Sequence, residues 1–310
     1  MKIVFMGTPD FAVPTLENIV KHGHEVLAVV TQPDKPKGRG NSMQCSPVKE
    51  VALAHNIPVY QPVRIKKDEE FIERLREMKP DAIVVIAFGQ MLPQSVLDIP
   101  KYGCINVHGS LLPKYRGAAP IQWSLIDGEE ETGVTTMMMD AGCDTGDMLL
   151  KATTKITKED TGGSLFDRLA TMGADLLIET LDACEKGTLT REKQGDSPTD
   201  YAKMLTKSFG LIDFEKDAAH IERLIRGLNP WPSAYTHLAG KTLKIWKADV
   251  AEGEAEGKIG EIVEVGKDEL IVKTGNGLLS IQELQLEGKK RMMVDAFLRG
   301  YTVEKGTILG

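Results

Sequence analysis

The chain has 310 residues, the composition of an ordinary globular protein and a formal net charge of −7. This length is enough for two domains, and the negative balance excludes a generally basic nucleic-acid-binding protein, so any such contact must come from a local patch. The four cysteines are far apart and form no Cys-x-x-Cys pair, which argues against a disulfide framework or a zinc site and favours a reducing compartment.

The first two-thirds of the sequence alternates strand and helix patterns. Strands are predicted at residues 2–6, 25–31, 58–60 and 81–87, and helices at residues 11–21, 47–55 and 68–78. This order predicts an α/β fold with a doubly wound, mostly parallel sheet and right-handed crossovers. The opening apolar run is too short for a signal peptide and no run reaches membrane length, so we expect a cytoplasmic protein without membrane contact.

The pattern changes towards the carboxyl end. A helix at residues 162–185 is expected to close the first domain. Beyond residue 233, short strand-like runs are separated by glycine-bearing turns; they lie at residues 241–248, 257–265, 269–274 and 277–286. Such spacing predicts a small β-barrel, with an OB-like barrel as the leading interpretation. We therefore predict a first domain at residues 1–189, a polar linker at 190–206 and a second domain at 207–310.

Polar side chains with catalytic potential lie at the end of a strand predicted to finish near His108. Asn106 and His108 are two residues apart, so they share one face of the strand. Gly109 lets the backbone turn and leaves space above the imidazole. Ligands of open parallel sheets bind beyond the carboxyl ends of the strands, where both residues lie. For Asn-x-His alone, a capped histidine beside a satisfied core amide would be the simpler interpretation.

A glycine-rich loop follows at residues 140–147 and contains Asp140, Asp144 and Asp147. A carboxylate, together with the amide and the imidazole, completes the set of groups that acyl transfer requires. One group stabilises a developing oxyanion, one moves or stabilises a proton, and one sets the protonation state of the imidazole. The spacing alone does not select which aspartate serves. Three neighbouring carboxylates also fit a divalent cation, but the spacing of a calcium loop is not met, and loop capping is the commoner role.

Other segments indicate ligand contacts. The loop at residues 31–46 carries Lys35, Lys37 and Arg39, which suits contact with phosphates; a solvated flexible loop is the alternative. The basic cluster Lys289-Lys290-Arg291 could follow a phosphate backbone on a barrel surface. The turn after the strand at 81–87 offers an apolar wall for a flat heteroaromatic ligand. A single glycine in Gly7-Thr-Pro-Asp-Phe gives only weak support for a dinucleotide, and we reject NAD.

Taken together, these segments resemble the folate-dependent formyltransferases over nearly the whole chain. The motifs that carry the resemblance are Gly-Thr-Pro-Asp-Phe at 7–11, Gln-Pro-Asp at 32–34, Gly-Arg-Gly at 38–40, Ser-Pro-Val-Lys at 46–49, Ile-Asn-Val-His-Gly-Ser-Leu-Leu-Pro at 105–113, Arg-Gly-Ala-Ala-Pro-Ile at 116–121, Glu-Thr-Gly-Val at 131–134, Asp-Thr-Gly-Asp-Met at 144–148, Asn-Pro-Trp-Pro at 229–232 and Lys-Ile-Trp-Lys-Ala at 244–248. After Gly40 the chain has Asn41-Ser42 where relatives can carry lysines, a departure that weakens the phosphate attraction of this loop.

The resemblance implies a Rossmann-like formyltransferase core followed by an OB-like tRNA-binding domain. It implies that the formyl group of 10-formyltetrahydrofolate moves to the α-amino group of methionyl-initiator tRNA, with Asn106, His108 and Asp144 as catalytic residues, without a metal and in a monomer. The implied folate-binding residues are Phe88, Gly89, Leu92, Ser110, Leu111, Leu112, Pro113 and Asp140. The implied tRNA-binding residues are Lys35, Lys37, Arg39, Lys289, Lys290 and Arg291.

Three alternatives remain open at this point. Other members of the family act on the amine of a nucleotide sugar, or hydrolyse 10-formyltetrahydrofolate, and share the core while differing in the loop and the carboxyl region. A catalytically silent RNA-binding protein built on the same core is the third alternative, and it predicts loss of the catalytic residues. The basic loop and the barrel that follows Asn-Pro-Trp-Pro favour tRNA as the substrate.

Overall fold

The computed structural model describes residues 1–37 and 42–310, which form two compact units. The first unit comprises Met1–Pro120, Glu131–Thr154 and Phe166–Ala202, and the second comprises Ile121–Glu130, Lys155–Leu165 and Lys203–Gly310. Arg39 lies outside the described residues. The domain boundaries predicted at residues 189 and 207 stay a prediction. None of the helices within the described ranges has the length and apolar character that crossing a bilayer requires.

Strands and helices alternate over much of the chain up to residue 186, as the sequence predicts. The strands are β1 Lys2–Gly7, β2 Glu25–Val30, β3 Lys35–Lys37, β4 Ser42–Gln44, β5 Val59–Tyr60, β6 Ala82–Ile86, β7 Cys104–His108, β8 Glu131–Met138 and β9 Met148–Lys155. The helices are α1 Val13–Lys21, α2 Pro47–Ala54, α3 Glu69–Met78, α4 Gln94–Leu97, α5 Pro120–Ile126 and α6 Gly162–Lys186, with short 3-10 turns at Asp10–Ala12 and Ile65–Lys67. The alternation is interrupted twice, because in the described ranges no helix separates β2, β3 and β4 from one another, or β8 from β9.

Seven strands form the sheet of the first unit, in the order β5-β2-β1-β6-β7-β8-β9. β1 is parallel to both β2 and β6, and β6 is parallel to β7, whereas β8 runs antiparallel to β7. The prediction of a doubly wound, mostly parallel sheet is therefore confirmed. Chain order reverses at β1, between β2 and β6, and this is where open α/β sheets place their ligands.

Local sequence explains the central elements. The β6 sequence Ala-Ile-Val-Val-Ile is buried at every residue, as expected for a strand covered by helices on both faces. The helix α3 begins where the Asp68 carboxylate accepts a hydrogen bond from the backbone N–H of Phe71 at 3.0 Å, a cap worth about 1 kcal/mol. Its Phe71, Ile72 and Leu75 side chains are buried in a hydrophobic core that they share with residues of β1 and β6.

Antiparallel strands dominate the second unit. Its elements are a 3-10 turn Lys207–Gly210, the helix α7 Ala218–Gly227, the strands β10 Ala234–Leu238, β11 Lys241–Ala251, β12 Ile262–Val265, β13 Leu270–Lys273, β14 Leu278–Leu286 and β15 Met292–Met293, and the helix α8 Val294–Leu298. The strand order is β10-β11-β14-β13-β12, with β15 paired to β14. An antiparallel carboxyl-terminal domain is confirmed, and its OB-like closure stays a prediction.

Candidate active site

The strand β7 delivers two polar side chains to the carboxyl edge of the sheet. All five of its residues, Cys-Ile-Asn-Val-His, are buried, and the Asn106 and His108 side chains belong to residues that are only 8% and 6% exposed. Two residues apart on a strand, they share a face, as the sequence predicts. β7 pairs with the central strand β6, so both side chains lie near the reversal of strand order.

The His108 ring is fixed by one backbone carbonyl. Its Nε2 lies 2.9 Å from the carbonyl oxygen of Tyr115, and since a carbonyl only accepts, Nε2 carries the proton of this bond. Nδ1 lies 3.8 Å from Oδ1 of Asp144, an ion pair whenever the imidazole is charged. Nδ1 is therefore the ring atom that lies towards the Asp144 carboxylate.

Asp144 is held by the same loop that fixes the histidine. Its Oδ2 accepts a hydrogen bond from the backbone N–H of Gly117 at 3.0 Å, and its side chain is 17% exposed. Its backbone is left-handed, with φ at +56°, a conformation uncommon outside glycine although aspartate tolerates it better than most residues. The loop of Tyr115 and Gly117 thus orients the imidazole and the carboxylate together.

Asn106 contributes an amide whose hydrogen-bonding groups are uncommitted. Within residues 1–37 and 42–310 its side chain makes no hydrogen bond to the protein. Its nitrogen and oxygen atoms are not completely enclosed, so a ligand can reach them. Its N–H₂ group is therefore available to donate to a ligand, such as a developing oxyanion. Its catalytic role stays a prediction.

The turn predicted to contact folate after β6 is firmly anchored. The Phe88 and Leu92 residues are 2% and 5% exposed and belong to the hydrophobic core, while Gly89 between them has φ at +84°. The Phe88 carbonyl accepts hydrogen bonds from Thr8 Oγ1 at 3.2 Å and from Gln32 Nε2 at 3.0 Å. The turn is therefore tied to the ends of β1 and β2, and its contact with folate stays a prediction.

The second predicted folate segment, Ser110–Pro113, rests on Thr135 of β8. The Thr135 hydroxyl donates to the carbonyl oxygen of Ser110 at 2.7 Å and accepts from the backbone N–H of Leu112 at 3.1 Å. Leu112 packs in a small apolar cluster with methionines of β8 and β9, whereas Leu111 and Pro113 are half-buried. A rigid support under half-exposed apolar side chains suits one wall of a ligand site.

Asp140, also predicted to bind folate, caps its own loop. Its Oδ1 accepts hydrogen bonds from the backbone N–H of Gly142 at 2.9 Å and from Thr145 Oγ1 at 2.8 Å. Gly146 ends this loop, where a Cβ would lie 1.7 Å from the carbonyl oxygen of Met138. The loop therefore depends on a capping carboxylate and on a glycine, and a folate contact of Asp140 stays a prediction.

Residues 192–202 hold the loops of the site in place, which the sequence did not predict because this segment has neither a hydrophobic period nor a motif. Gln194 Nε2 donates to the carbonyl oxygens of Asp144 at 2.9 Å and Gly146 at 2.7 Å. Thr199 Oγ1 accepts from the backbone N–H of Tyr115 at 2.8 Å. Hydrogen bonds from polar side chains to backbone atoms leave no hydrophobic pattern, so only the structure reveals them.

Cys143 is a neighbour of the Asp144 carboxylate, and its environment argues against a nucleophile. Its Sγ lies 3.2 Å from the hydroxyl of Tyr201, in a hydrogen bond, and 3.8 Å from Oδ2 of Asp144. Burial raises the pKa of the Cys143 thiol, and the hydrogen bond with Cys143 raises the pKa of Tyr201 to about 12. Both groups are therefore neutral near pH 7.

We expect iodoacetamide to alkylate Cys143 more slowly than an unperturbed cysteine at pH 7.5, because the thiolate is the reactive form and a raised pKa leaves less of it. Because the Cys143 pKa is raised, its rate should continue to rise with pH above the ordinary cysteine pKa of about 8.5. Peptide mapping by mass spectrometry gives the rate, with the same cysteine in the denatured protein as reference. A Cys143 rate at or above the reference would contradict this environment.

The basic loop after β2 is anchored at both ends. Lys49 Nζ donates to Asp34 Oδ2 at 2.7 Å and to Gln61 Oε1 at 2.9 Å, and Gln61 in turn donates to Asp34 Oδ1 at 2.7 Å. These hydrogen bonds, the one from Lys49 foremost, lower the pKa of Asp34. Lys35 is exposed and lies in the β3–β4 hairpin, as does the backbone of Lys37. The hairpin therefore projects from a fixed base.

A cation-aromatic cluster lies on the second unit. The Arg291 guanidinium is 4.7 Å from the ring centroid of Trp246, and Lys244 Nζ is 5.6 Å from it. Arg291 also makes two hydrogen bonds to the Glu283 carboxylate, at 2.7 and 2.6 Å. Lys289 and Lys290 are exposed and adjacent to Arg291 in the chain. The charge of Arg291 is already balanced, so the two lysines are the stronger candidates for phosphate contact.

Comparisons with known proteins cover both units. The family model Formyl transferase matches residues 1–181, and the model Formyl transferase, C-terminal domain, matches residues 204–302. Methionyl-tRNA formyltransferase of Lachnospira eligens is 58% identical over 315 residues, covering 100% of both chains. The enzyme of the same name from Geobacter metallireducens is 56% identical over 310 residues, covering 100% of this chain and 99% of its own.

Solved structures share the fold at lower identity. The N-formyltransferase from Helicobacter canadensis, in complex with folinic acid and dTDP-3-aminofucose, aligns with a TM-score of 0.69 at 21% identity, over 94% of this chain and 100% of its own. HypX from Aquifex aeolicus, in complex with tetrahydrofolic acid, aligns with a TM-score of 0.64 at 18% identity, over 99% of this chain and 50% of its own. The architecture is thus common to proteins that differ in name and in bound ligand.

Proposed function

The chain belongs to the formyl transferase family, and from this premise we propose that it transfers the formyl group of 10-formyltetrahydrofolate to the α-amino group of methionyl-initiator tRNA. The observation that carries the proposal is the His108 ring held between the Tyr115 carbonyl and the Asp144 carboxylate, on the strand that also presents the Asn106 amide. Full-length identity to enzymes named for methionyl-tRNA supports this acceptor over a nucleotide sugar.

The chemistry requires one bond to form and one to break. The neutral amine attacks the formyl carbon, an N–C bond forms, and negative charge builds on the formyl oxygen. The carbon then releases N10 of the folate, which takes up a proton as the new ammonium loses one. An α-amine with a pKa of about 8 is partly neutral at pH 7, so the amine itself is a competent nucleophile. Neither a covalent enzyme intermediate nor a metal is required.

Each catalytic residue has a role that its contacts support. The Asn106 amide and a protonated Nδ1 of His108 donate to the developing oxyanion from the buried strand β7. Asp144, 3.8 Å from Nδ1, balances the imidazolium charge. Its exposed fraction leaves room for a water that relays the proton from the ammonium to N10. The fold holds these groups in place before the substrate binds.

The tRNA is expected to be contacted by cations on separate elements. The β3–β4 hairpin presents Lys35, and Lys37 and Arg39 follow it in the sequence. On the second unit, Lys289 and Lys290 are exposed and precede the Arg291 that packs on Trp246. The overall charge of −7 makes such local patches necessary for a polyanionic substrate. The proposal includes a monomer that acts in the cytoplasm, where the translation substrate is found.

The combined variant Lys289→Ala and Lys290→Ala should weaken tRNA binding and lower the slope of log Kd against log salt by about 1 for each phosphate that the two lysines no longer neutralise. The variant Lys186→Ala, which removes an exposed lysine paired with Asp182, is the control and should leave the slope unchanged. Filter binding at several salt concentrations measures it. An unchanged slope in the double variant would remove these lysines from the tRNA surface.

Transfer of labelled formyl tests the proposed function directly. The protein is given labelled 10-formyltetrahydrofolate with methionyl-initiator tRNA, methionyl-elongator tRNA or an amino-sugar nucleotide in parallel reactions. We expect rapid transfer to the initiator tRNA alone. Sugar formylation, or release of free formate without an acceptor, would retain the chemistry and overturn the acceptor. Tight RNA binding with no transfer at all would favour the catalytically silent alternative.

A further inference from the structure

We propose that Gln194 is a positioning residue that fixes the Asp144 carboxylate against His108, an inference that rests on the proposed function. Gln194 lies outside every motif that carries the family resemblance and does not touch the catalytic side chains themselves. It contacts the backbone of the loop that carries Asp144 and the side chain of Arg116 on the facing loop. It therefore acts through the residues that it holds.

The hydrogen bonds of Gln194 use both ends of its amide. Nε2 donates to the carbonyl oxygens of Asp144 and Gly146, at 2.9 and 2.7 Å, and Oε1 accepts from Arg116 Nε at 2.9 Å. Arg116 Nη2 donates to the carbonyl oxygen of Gly195 at 2.7 Å. One half-buried side chain thus joins the Asp144 loop to the loop that contains Tyr115 and Gly117.

Backbone hydrogen bonds hold the surrounding segment in the same place. We call residues 192–202 the strap. At its beginning, Glu192 exchanges two hydrogen bonds with Met148 of β9, at 2.8 and 2.9 Å. At its end, Ala202 donates to the Arg116 carbonyl oxygen at 2.8 Å and accepts from the N–H groups of Ala118 and Ala119. Gln194 is therefore presented from a segment anchored on both sides of the site.

The Asp144 loop needs such support. Asp144 has a left-handed backbone with φ at +56°, and a non-glycine residue keeps this conformation only where its surroundings hold it there. The Gly117 N–H holds the carboxylate from one side at 3.0 Å, while Gln194 holds the backbone carbonyl of the same residue. Without the second restraint, the carboxylate loses its fixed distance to the imidazole.

The expected consequence is specific to the chemical step. A displaced carboxylate no longer balances the charge on His108 in the transition state, whereas the folate segments at residues 88–92 and 110–113 are held by other hydrogen bonds. Misplacement of a catalytic group by about 1 Å can cost 10²-fold in rate. Loss of Gln194 should therefore lower kcat and leave both KM values nearly unchanged.

The test compares Gln194→Leu, Gln194→Glu and the control Gln94→Leu in the formyl-transfer assay with methionyl-initiator tRNA. Gln194→Leu removes the donors and the acceptor at similar size; Gln194→Glu keeps an acceptor for Arg116 and removes the donors. Gln94 is exposed in α4, donates to Asp98 at 2.7 Å and lies in the same unit. All variants are measured well below their own Tm.

We expect kcat to fall about 10- to 100-fold in both Gln194 variants, with KM for folate and tRNA within about threefold of the wild type and Gln94→Leu unaltered. Wild-type kcat in the Gln194 variants, or a rise in KM that accounts for the whole loss, would overturn the positioning role. A fall in kcat matched by Gln94→Leu would overturn it as well. If the wild type transfers no formyl group, it is the proposed function that fails.

Discussion

His108→Ala is expected to lower kcat for formyl transfer by about 10²- to 10³-fold, the effect of removing one preorganised donor to an oxyanion. The ring is held by the Tyr115 carbonyl through Nε2, so Nδ1 is the donor that the substrate loses. Folate affinity should change by less than about threefold, because the residues predicted to bind folate lie on other supports. Single-turnover rates and equilibrium folate binding measure the two quantities separately.

His22→Ala provides the matched control for this substitution. His22 lies at the end of α1, where its exposed ring is 2.8 Å from the carbonyl oxygen of Asn18, so its removal takes away an imidazole of the same unit without reaching the site. Its kcat should equal that of the wild type. If His108→Ala lost folate binding as strongly as turnover, His108 would be a structural histidine and the oxyanion would depend on Asn106.

The strand β7 can be predicted because its signal is local. Alternation along β7 places Asn106 and His108 on one face, and the turn at Gly109 follows directly in the sequence. Asp144 is identified only through the family resemblance, since three aspartates in one loop satisfy the same spacing. The structure separates Asp140 from Asp144 by their hydrogen bonds and distances: the first caps its own loop, whereas the second faces the imidazole.

The supports of the site cannot be predicted, because they depend on contacts between distant segments. The Tyr115 carbonyl reaches His108 through a loop with positive φ at Tyr115 (+56°) and Gly117 (+127°). A Cβ on Gly117 would lie 2.6 Å from the carbonyl oxygen of Ala202, so the strap can pack this closely against the loop only because residue 117 is glycine. The polar residues 194 and 199 form no period from which this could be inferred.

The same difference between local patterns and contacts with distant segments explains which strands of the sheet can be predicted. β6 is predictable because a continuous aliphatic run between turn residues is typical of a strand buried on both faces. β8 is not: its sequence Glu-Thr-Gly-Val-Thr-Thr-Met-Met mixes threonine, glycine and methionine, with neither alternation nor an aliphatic run. Its threonines have partners inside the fold, including Thr135 under Ser110 and Thr136 with Thr180 at 2.9 Å. Buried polar residues of this kind conceal a strand from sequence patterns.

Asp144→Asn is expected to lower kcat by about 10²-fold or more, within the range of a lost acid–base group. Asparagine keeps the size of the side chain and an oxygen that accepts from the Gly117 N–H, so the loop should retain its conformation. The negative charge opposite Nδ1 is lost, so the positive charge of the imidazolium is no longer balanced.

Asp147→Asn is the control for this substitution. Asp147 supports the loop through its backbone carbonyl, which accepts a hydrogen bond from the Met138 N–H at 2.8 Å and is kept in the variant. Equal kcat values in the two variants would contradict a role for the Asp144 charge.

Combining Asp144→Asn with Gln194→Leu separates a shared role from two independent ones. If Gln194 acts by positioning the Asp144 carboxylate, its loss has little left to disturb once that charge is gone, so the double variant should be no more than about twofold slower than Asp144→Asn alone. Groups that act as a unit give such non-additive losses, whereas independent sites give losses that multiply. A double variant slower by the product of both single effects would mean that Gln194 supports the reaction by another route than Asp144.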